Sequence, residues 1–333
     1  MSARQANPVG RWILGAEIGG TNIRAGLVDR EGRINSEARR PAMAHNGLRA
    51  ALDVAIEAMS EAIATGQAPT SDICGIGLAV PGLNRSEEGL CVYSPTFANS
   101  RNVQVIAPVE EAFGLATYML RDVAVAALGE SSFGAGRGYR HFVLVNLGTE
   151  VDGAAIVDGQ LRLGASEGFA TVGHMIVDAD GPPCSCGSRG CLEALVGREA
   201  LIERAIRRVQ DGRQTLIAQS VEYRLGSITP ALISHAAEQG DAVAREVLEE
   251  TARYLGIGVA NLLQLYNPEL VIIGGPLAQA GRYLMEPLQR TVRARAHRVP
   301  ATSCKLAFAE LGSDAALVGT SILVKQHLPA GGW

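Results

Sequence analysis

Two mainly apolar runs within Trp12 to Val28, split by Gly19-Gly20-Thr21, predict a β-hairpin: a strand, a tight turn and a second strand ending near Asp29. From about Leu48 to Thr65 apolar residues recur at helical spacing, which predicts a helix. The unbroken apolar run Ile73 to Val80, closed by Pro81-Gly82, predicts a short buried strand. A helix over roughly Val109 to Phe113, a strand over Ala116 to Leu120 and an Ala-rich helix start over Val123 to Leu128 follow. The pattern then returns, with a strand at His141 to Leu147, a turn at Gly148-Thr149, a strand at Gly153 to Val157 and a hairpin turn at Asp158-Gly159. Two halves that each open on hairpins around a Gly-Thr turn predict a duplicated α/β unit. Arg198 to Gln264 reads as mostly helical with a polar break near Gly226, Leu270 to Ile273 as a buried strand ending in Gly274-Gly275, and Asp314 to Gln326 as a final helix.

A length of 333 residues favours two domains over one core, and 47% apolar against 19% charged residues suits packed domains rather than disorder. A formal charge of −4 with no dense Lys/Arg run removes the footprint that nucleic-acid binding needs. Arg204, Arg207 and Arg208 read instead as a solvated helix face. No stretch approaches the roughly 18 apolar residues of a membrane span. The polar start Met1 to Gly10 lacks a secretory hydrophobic region, so a cytoplasmic protein is expected.

Candidate chemistry is concentrated in turns and in one cysteine cluster. Gly19-Gly20-Thr21 puts two permissive backbone positions and a hydroxyl at a strand turn, where N–H groups can hold a phosphate, although a plain hairpin would use the same residues. Gly148-Thr149 and Gly274-Gly275-Pro276 add two more such turns, each after a strand, and the three together suggest a nucleotide cleft between two α/β halves. His174, followed ten residues later by Cys184-Ser-Cys186-Gly-Ser-Arg-Gly-Cys191, offers an imidazole and three thiolates, a complete tetrahedral Zn²⁺ shell. With no open position such a metal is structural. Cys74, Cys91 and Cys304 stand apart and read as inert buried thiols.

In order, Gly19-Gly20-Thr21, Val80-Pro81-Gly82, Asp122 before Ala-Ala-Leu-Gly-Glu, Gly173-His174, the cysteine cluster with Leu192-Glu193, and Gly274-Gly275 resemble the ROK (repressor, ORF, kinase) family over Ile13 to about Leu323. The resemblance implies a two-domain actin-like, ribonuclease H-like ATPase fold. A small α/β domain would comprise residues 1–121 plus 315–333, completed by the C-terminal helix, and a large one residues 122–314 with the zinc loop and helical segment. It implies an ATP-dependent sugar kinase, and the first motif at about residue 13 leaves no room for the DNA-binding domain of the family's repressors. Asp122 would be the general base for a primary hydroxyl. Gly82, Arg121, Thr171, His174 and Glu193 would line the substrate site, with His174 serving zinc through one ring nitrogen and the sugar through the other. Glu17, Gly19, Gly20, Thr21, Asn22, Gly148, Thr149, Gly274 and Gly275 would hold Mg²⁺-ATP. A homodimer or homotetramer is expected.

Four positions depart from the family's usual pattern. Arg121 stands where Asn is usual, Thr171 where Glu is usual, Glu150 and Asp152 follow Gly148-Thr149 in place of glycines, and Glu17 replaces Asp. Losing Asn and Glu removes partners for ring hydroxyls, so ordinary glucose is expected to bind poorly, and a modified, amino or acidic sugar or a cyclitol becomes the expected substrate. Arg121 would face an anionic ligand group or be neutralised internally by Glu150 or Asp152. A non-catalytic relative that only binds a ligand or partner is the alternative.

Overall fold

The structure is a computed structural model that describes residues 10–329; Met1–Val9, on which the reading of a missing secretory segment largely rests, lies outside the described residues. The chain divides into two units, one reaching to Gly138 and including Leu161–Phe169 and the chain from Glu310 onward, the other Tyr139–Gln160 with Ala170–Ala309.

In the first unit, β1 (Trp12–Ile18), β2 (Asn22–Val28) and β3 (Ile34–Pro41) form an antiparallel meander, followed by α1 (Leu48–Gly66) and β4 (Ile73–Val80). A small sheet of β5 (Leu83–Arg85), β6 (Leu90–Tyr93) and β7 (Arg101–Gln104) precedes α2 (Ile106–Phe113), β8 (Thr117–Arg121) and α3 (Asp122–Phe133). The main sheet runs β3-β2-β1-β4-β8, with β1, β4 and β8 parallel. Every residue of β4 is buried, which its unbroken apolar sequence requires of a strand covered on both faces. The C-terminal helix, Ala315–Lys325, packs on β1 and β4 so closely that a Cβ on Gly77 would come within 2.7 Å of Thr320.

The second unit contains β9 (Phe142–Leu147), β10 (Val151–Val157) and β11 (Gln160–Arg162), then the helices α4 (Leu192–Val196), α5 (Arg198–Gln210), α6 (Leu216–Ser220), α7 (Pro230–Glu238) and α8 (Ala242–Tyr266). It closes with β12 (Leu270–Gly274), α9 (Arg282–Arg295), α10 (Arg298–Ser303) and β13 (Lys305–Phe308); the C-terminal helix is α11. Its sheet, β11-β10-β9-β12-β13, repeats the order of the first, again with three parallel strands at one side. The break near Gly226 spans residues 221–229 and contains a 3-10 turn, Leu225–Ser227. Thr229 caps α7 through Leu232 N and Asp241 caps α8 through Ala244 N, so both helices begin on the side chains that such starts favour.

The boundary expected at residue 121 falls after Gly138 instead, because α3 packs on α11: a Cβ on Gly129 would enter the Ala315 carbonyl, and one on Gly319 the Val125 carbonyl. The return into the first unit likewise comes at Glu310 rather than 315. Among the described residues, no helix is long and apolar enough to cross a membrane.

Candidate functional site

Parallel strands present their C-terminal ends at one edge, and that edge is where open α/β sheets take ligands. In the first unit β1 ends at Glu17-Ile18 and runs into Gly19-Gly20-Thr21, β4 ends at Val80 and runs into Pro81-Gly82, and β8 ends at Arg121 and runs into Asp122. Registers of Glu17 with Ala79 and Val80 with Arg121 bring these three segments side by side. The turn is closed by Gly19 N–H donating to Asn22 O (3.1 Å), and Thr21 is exposed. Gly82 takes φ +105°, and a Cβ there would strike the main chain at Tyr93 and Ser94. Glycine is therefore required at this position by its surroundings.

Asp122 opens α3, its Oδ1 accepting from Val123 N–H (2.8 Å), and burial raises its pKa above the ordinary Asp value despite the lowering effect of Arg121. Glu17 is pushed up to about 7, chiefly by burial, with Asp122, Asp314 and Glu37 adding to the rise and Arg24 opposing it. Its Oε2 is buried without a hydrogen-bond partner, 3.8 Å from Arg24 Nη1. An orphaned carboxylate oxygen beside a phosphate-type turn fits a cation such as Mg²⁺. Arg24 is itself engaged by Glu37 (Nε to Oε1, 2.7 Å) and Asp314 (2.6 Å).

Arg121 is 9% exposed, and its Nη2 donates to the Phe169 carbonyl (2.9 Å). One arm of its fork thus serves the Leu161–Phe169 segment of the same unit, where Glu167 also docks by accepting from Ser86 N–H (2.7 Å).

In the second unit β9 ends at Leu147 before Gly148-Thr149, and the parallel β12 ends in Gly274-Gly275, with Gly274 opposite Asn146. Gly275 takes φ +85°, and a Cβ on it would lie 2.5 Å from Leu147 O, so these two turns lie against each other. Gly148 N–H donates to Glu150 O (3.1 Å) and Thr149 is exposed.

His174, Cys184, Cys186 and Cys191 bring their ligand atoms within 4.8 Å of one another. The Cys186–Cys191 sulfur separation is 3.7 Å, and His174 Nδ1 lies 3.7 Å from Cys184 Sγ. Tetrahedral zinc with bonds of about 2.3 Å to sulfur and 2.0 Å to nitrogen requires about 3.8 and 3.5 Å. The donor set therefore fits zinc, and it would use Nδ1 of His174, leaving Nε2 for another partner. Glu193, on α4, accepts from Val151 N–H (3.0 Å) and from the Ser185 hydroxyl (3.1 Å). Thr171 directly precedes the 3-10 turn Val172–His174.

The structure thus gathers Glu17, Gly19, Gly20, Thr21, Asn22, Gly82, Arg121 and Asp122 in one unit, and Gly148, Thr149, Gly274, Gly275, Thr171, His174 and Glu193 in the other. Asn146 escaped the sequence reading: its side chain lies beside the positions that Cβ atoms of Gly148 and Gly274 would take, and its only signal is an amide inside the otherwise apolar run Phe142–Leu147. Thr96 escaped too, although a Cβ on Gly20 would lie 2.5 Å from its methyl.

The sequence profile of the ROK family matches residues 13–327, and the chain belongs to that family. It is 31% identical to a glucokinase of Thermotoga maritima over 320 residues, covering 95% of this chain and 98% of the relative. A ROK family glucokinase from Streptomyces griseus, solved in complex with glucose and AMPPNP, superposes with a TM-score of 0.83 at 30% identity, covering 95% of this chain and 99% of that one. A ROK family transcriptional regulator, a homologue of the E. coli MLC protein, superposes with a TM-score of 0.86 at 25% identity, covering 96% of this chain and 79% of that one. The fold is accordingly the α/β, actin-like ATPase fold of the ROK sugar kinases. The expectation that ordinary glucose binds poorly finds no support in these relatives, which include glucokinases.

Proposed function

We propose that this ATP-dependent carbohydrate kinase transfers the γ-phosphoryl group of ATP to a primary hydroxyl of a hexose or closely related polyol, with Asp122 as the general base. The observation that carries the reading is the edge shared by Glu17, Gly82 and Asp122, where burial strengthens the proton affinity of a carboxylate set at a strand end. As the hydroxyl oxygen bonds to phosphorus and the bond from phosphorus to the β–γ bridging oxygen breaks, the hydroxyl proton passes to Asp122 and ADP leaves. Positioning contributes more than basicity in so loose a transfer. Glu17 would hold Mg²⁺, directly or through water, and the metal would offset the charge of the phosphates. The Cys₃His cluster would hold zinc as a structural ion.

Glucose heads the substrate panel because relatives that align over the whole chain are named glucokinases. Amino sugars, uronic acids and cyclitols stand beside it because Arg121 and Thr171 replace the Asn and Glu usual in the family. Phe169 O occupies one of the five N–H donors of Arg121.

The test is ADP release over this panel for wild type and Asp122→Asn, with MgATP affinity measured separately. A fall of roughly 10²–10⁴ in kcat with MgATP affinity retained is expected. Turnover unaffected by Asp122→Asn would remove the base assignment, and no turnover with any compound would favour a ligand-binding relative of the regulator type.

A further inference from the structure

Val151 is the first residue of β10 and directly follows the turn Gly148-Thr149-Glu150. Its backbone is bonded on one side and packed on the other by residues within two positions of candidate zinc ligands. The Val151 N–H donates to Glu193 Oε2 (3.0 Å), and Glu193 lies two residues beyond Cys191. The Val151 carbonyl lies against Gly173, which directly precedes His174; a Cβ on Gly173 would overlap that oxygen outright. The second oxygen of Glu193 accepts from Ser185 (3.1 Å), which sits between Cys184 and Cys186. The two arms of the cluster are joined by Leu192 N–H donating to Met175 O (2.8 Å) and a bridge between Ile176 and Cys191. All these residues belong to the second unit.

We infer that the metal loop sets the position of the Gly148-Thr149-Glu150 turn, with Glu193 as a positioning residue for the nucleotide. This rests on the reading that the turn holds ATP. The metal fixes His174 and Cys191, these fix Gly173 and Glu193, and together they fix the peptide on which the turn is built. A carboxylate with two oxygens has acceptor capacity beyond Val151 and Ser185, so the role is compatible with a sugar contact. It differs in consequence, because it acts on nucleotide binding when no sugar is present.

The experiment measures MgATP affinity by calorimetry without sugar, and amide hydrogen exchange in the peptide spanning residues 147–152. It uses zinc-loaded and chelated wild type, Glu193→Ala, Glu193→Gln, Ser185→Ala and Thr149→Ala. Chelation and Glu193→Ala are each expected to weaken MgATP binding roughly tenfold and to speed exchange at Val151, as loss of a charge-assisted hydrogen bond would. Glu193→Gln, whose amide can accept from Val151 and donate to Ser185, is expected to stay within about threefold of wild type. Unchanged exchange in α8 distinguishes this from general unfolding. If Thr149→Ala weakens MgATP binding but chelation and Glu193→Ala do not, the inference is overturned while the nucleotide reading stands. If Thr149→Ala leaves the affinity unchanged, the nucleotide reading fails and takes the inference with it. Should Glu193→Ala fail to fold, the chelated wild type and Ser185→Ala decide the matter.

Discussion

Glu17→Gln should change how stability depends on pH. In the folded protein the carboxyl is raised from 4.5 to about 7, first by burial, against Arg24 and with Asp122, Asp314 and Glu37 adding to the rise. An acid that holds its proton more tightly when folded contributes stability that is complete below about pH 4.5, declines as the unfolded chain ionises, and is gone above about pH 7. At about 1.4 kcal/mol per unit the full effect is about 3 kcal/mol. The side chain is 26% exposed, so water reduces this, and about 1–2 kcal/mol is the working expectation. Glutamine carries no proton to lose. Urea melts from pH 4.5 to 8 in metal-free buffer should show the stability of Glu17→Gln rising relative to wild type by that amount. Subtracting the two proteins cancels the other carboxyls, including Asp122, to first order. A difference that stays constant across the range would refute the burial argument and, with it, the picture of an orphaned Glu17 oxygen awaiting a cation.

Arg24 is 9% exposed and flanked by Glu37, Asp314 and Glu17, so Arg24→Met should cost about 3 kcal/mol in urea unfolding by leaving those carboxylates uncompensated. Adding Glu37→Gln should recover part of that loss. Gly20→Ala should cost about 1–3 kcal/mol of stability, since its Cβ would come 2.5 Å from the Thr96 methyl, and Thr96→Ser in the same chain should relieve most of it; calorimetric melting of wild type, Gly20→Ala and the double variant checks this.

The β1–β2 hairpin, β4, β12 and the last helix were legible because each is an apolar run or a helical stripe bounded by glycine or proline. The Cys₃His cluster was legible because metal coordination fixes residue types as well as spacing. The strands β3, β5, β7 and β13 were not: Arg101–Gln104 reads Arg-Asn-Val-Gln, and Ile34–Pro41 carries Glu37, Arg39 and Arg40, so their pairing is decided by the neighbouring strand. The polar helix α9, with Pro287 inside it, was missed for the same reason, since packing on α8 holds it. The division after Gly138 was not legible because the partner of α3 is the distant α11, a pairing that no local window contains. Of the candidate site, the glycine turns stand out in the sequence and Asp122 only through the family resemblance, whereas the Val151–Glu193 link and the Thr96 contact depend on tertiary proximity.

The place of α11 in the first unit also orders events during synthesis. By the time Ala309 has been made, every residue of the second unit exists and that unit can fold. The first unit cannot: one face of its β1–β4 sheet and the surface of α3 that meets Gly319 stay uncovered until α11 has been made. Until then the apolar sheet face that α11 covers lacks its partner. A frameshift or early stop within Ala315–Lys325 would spare every candidate site residue, yet it would remove the support of the helix that Asp122 begins.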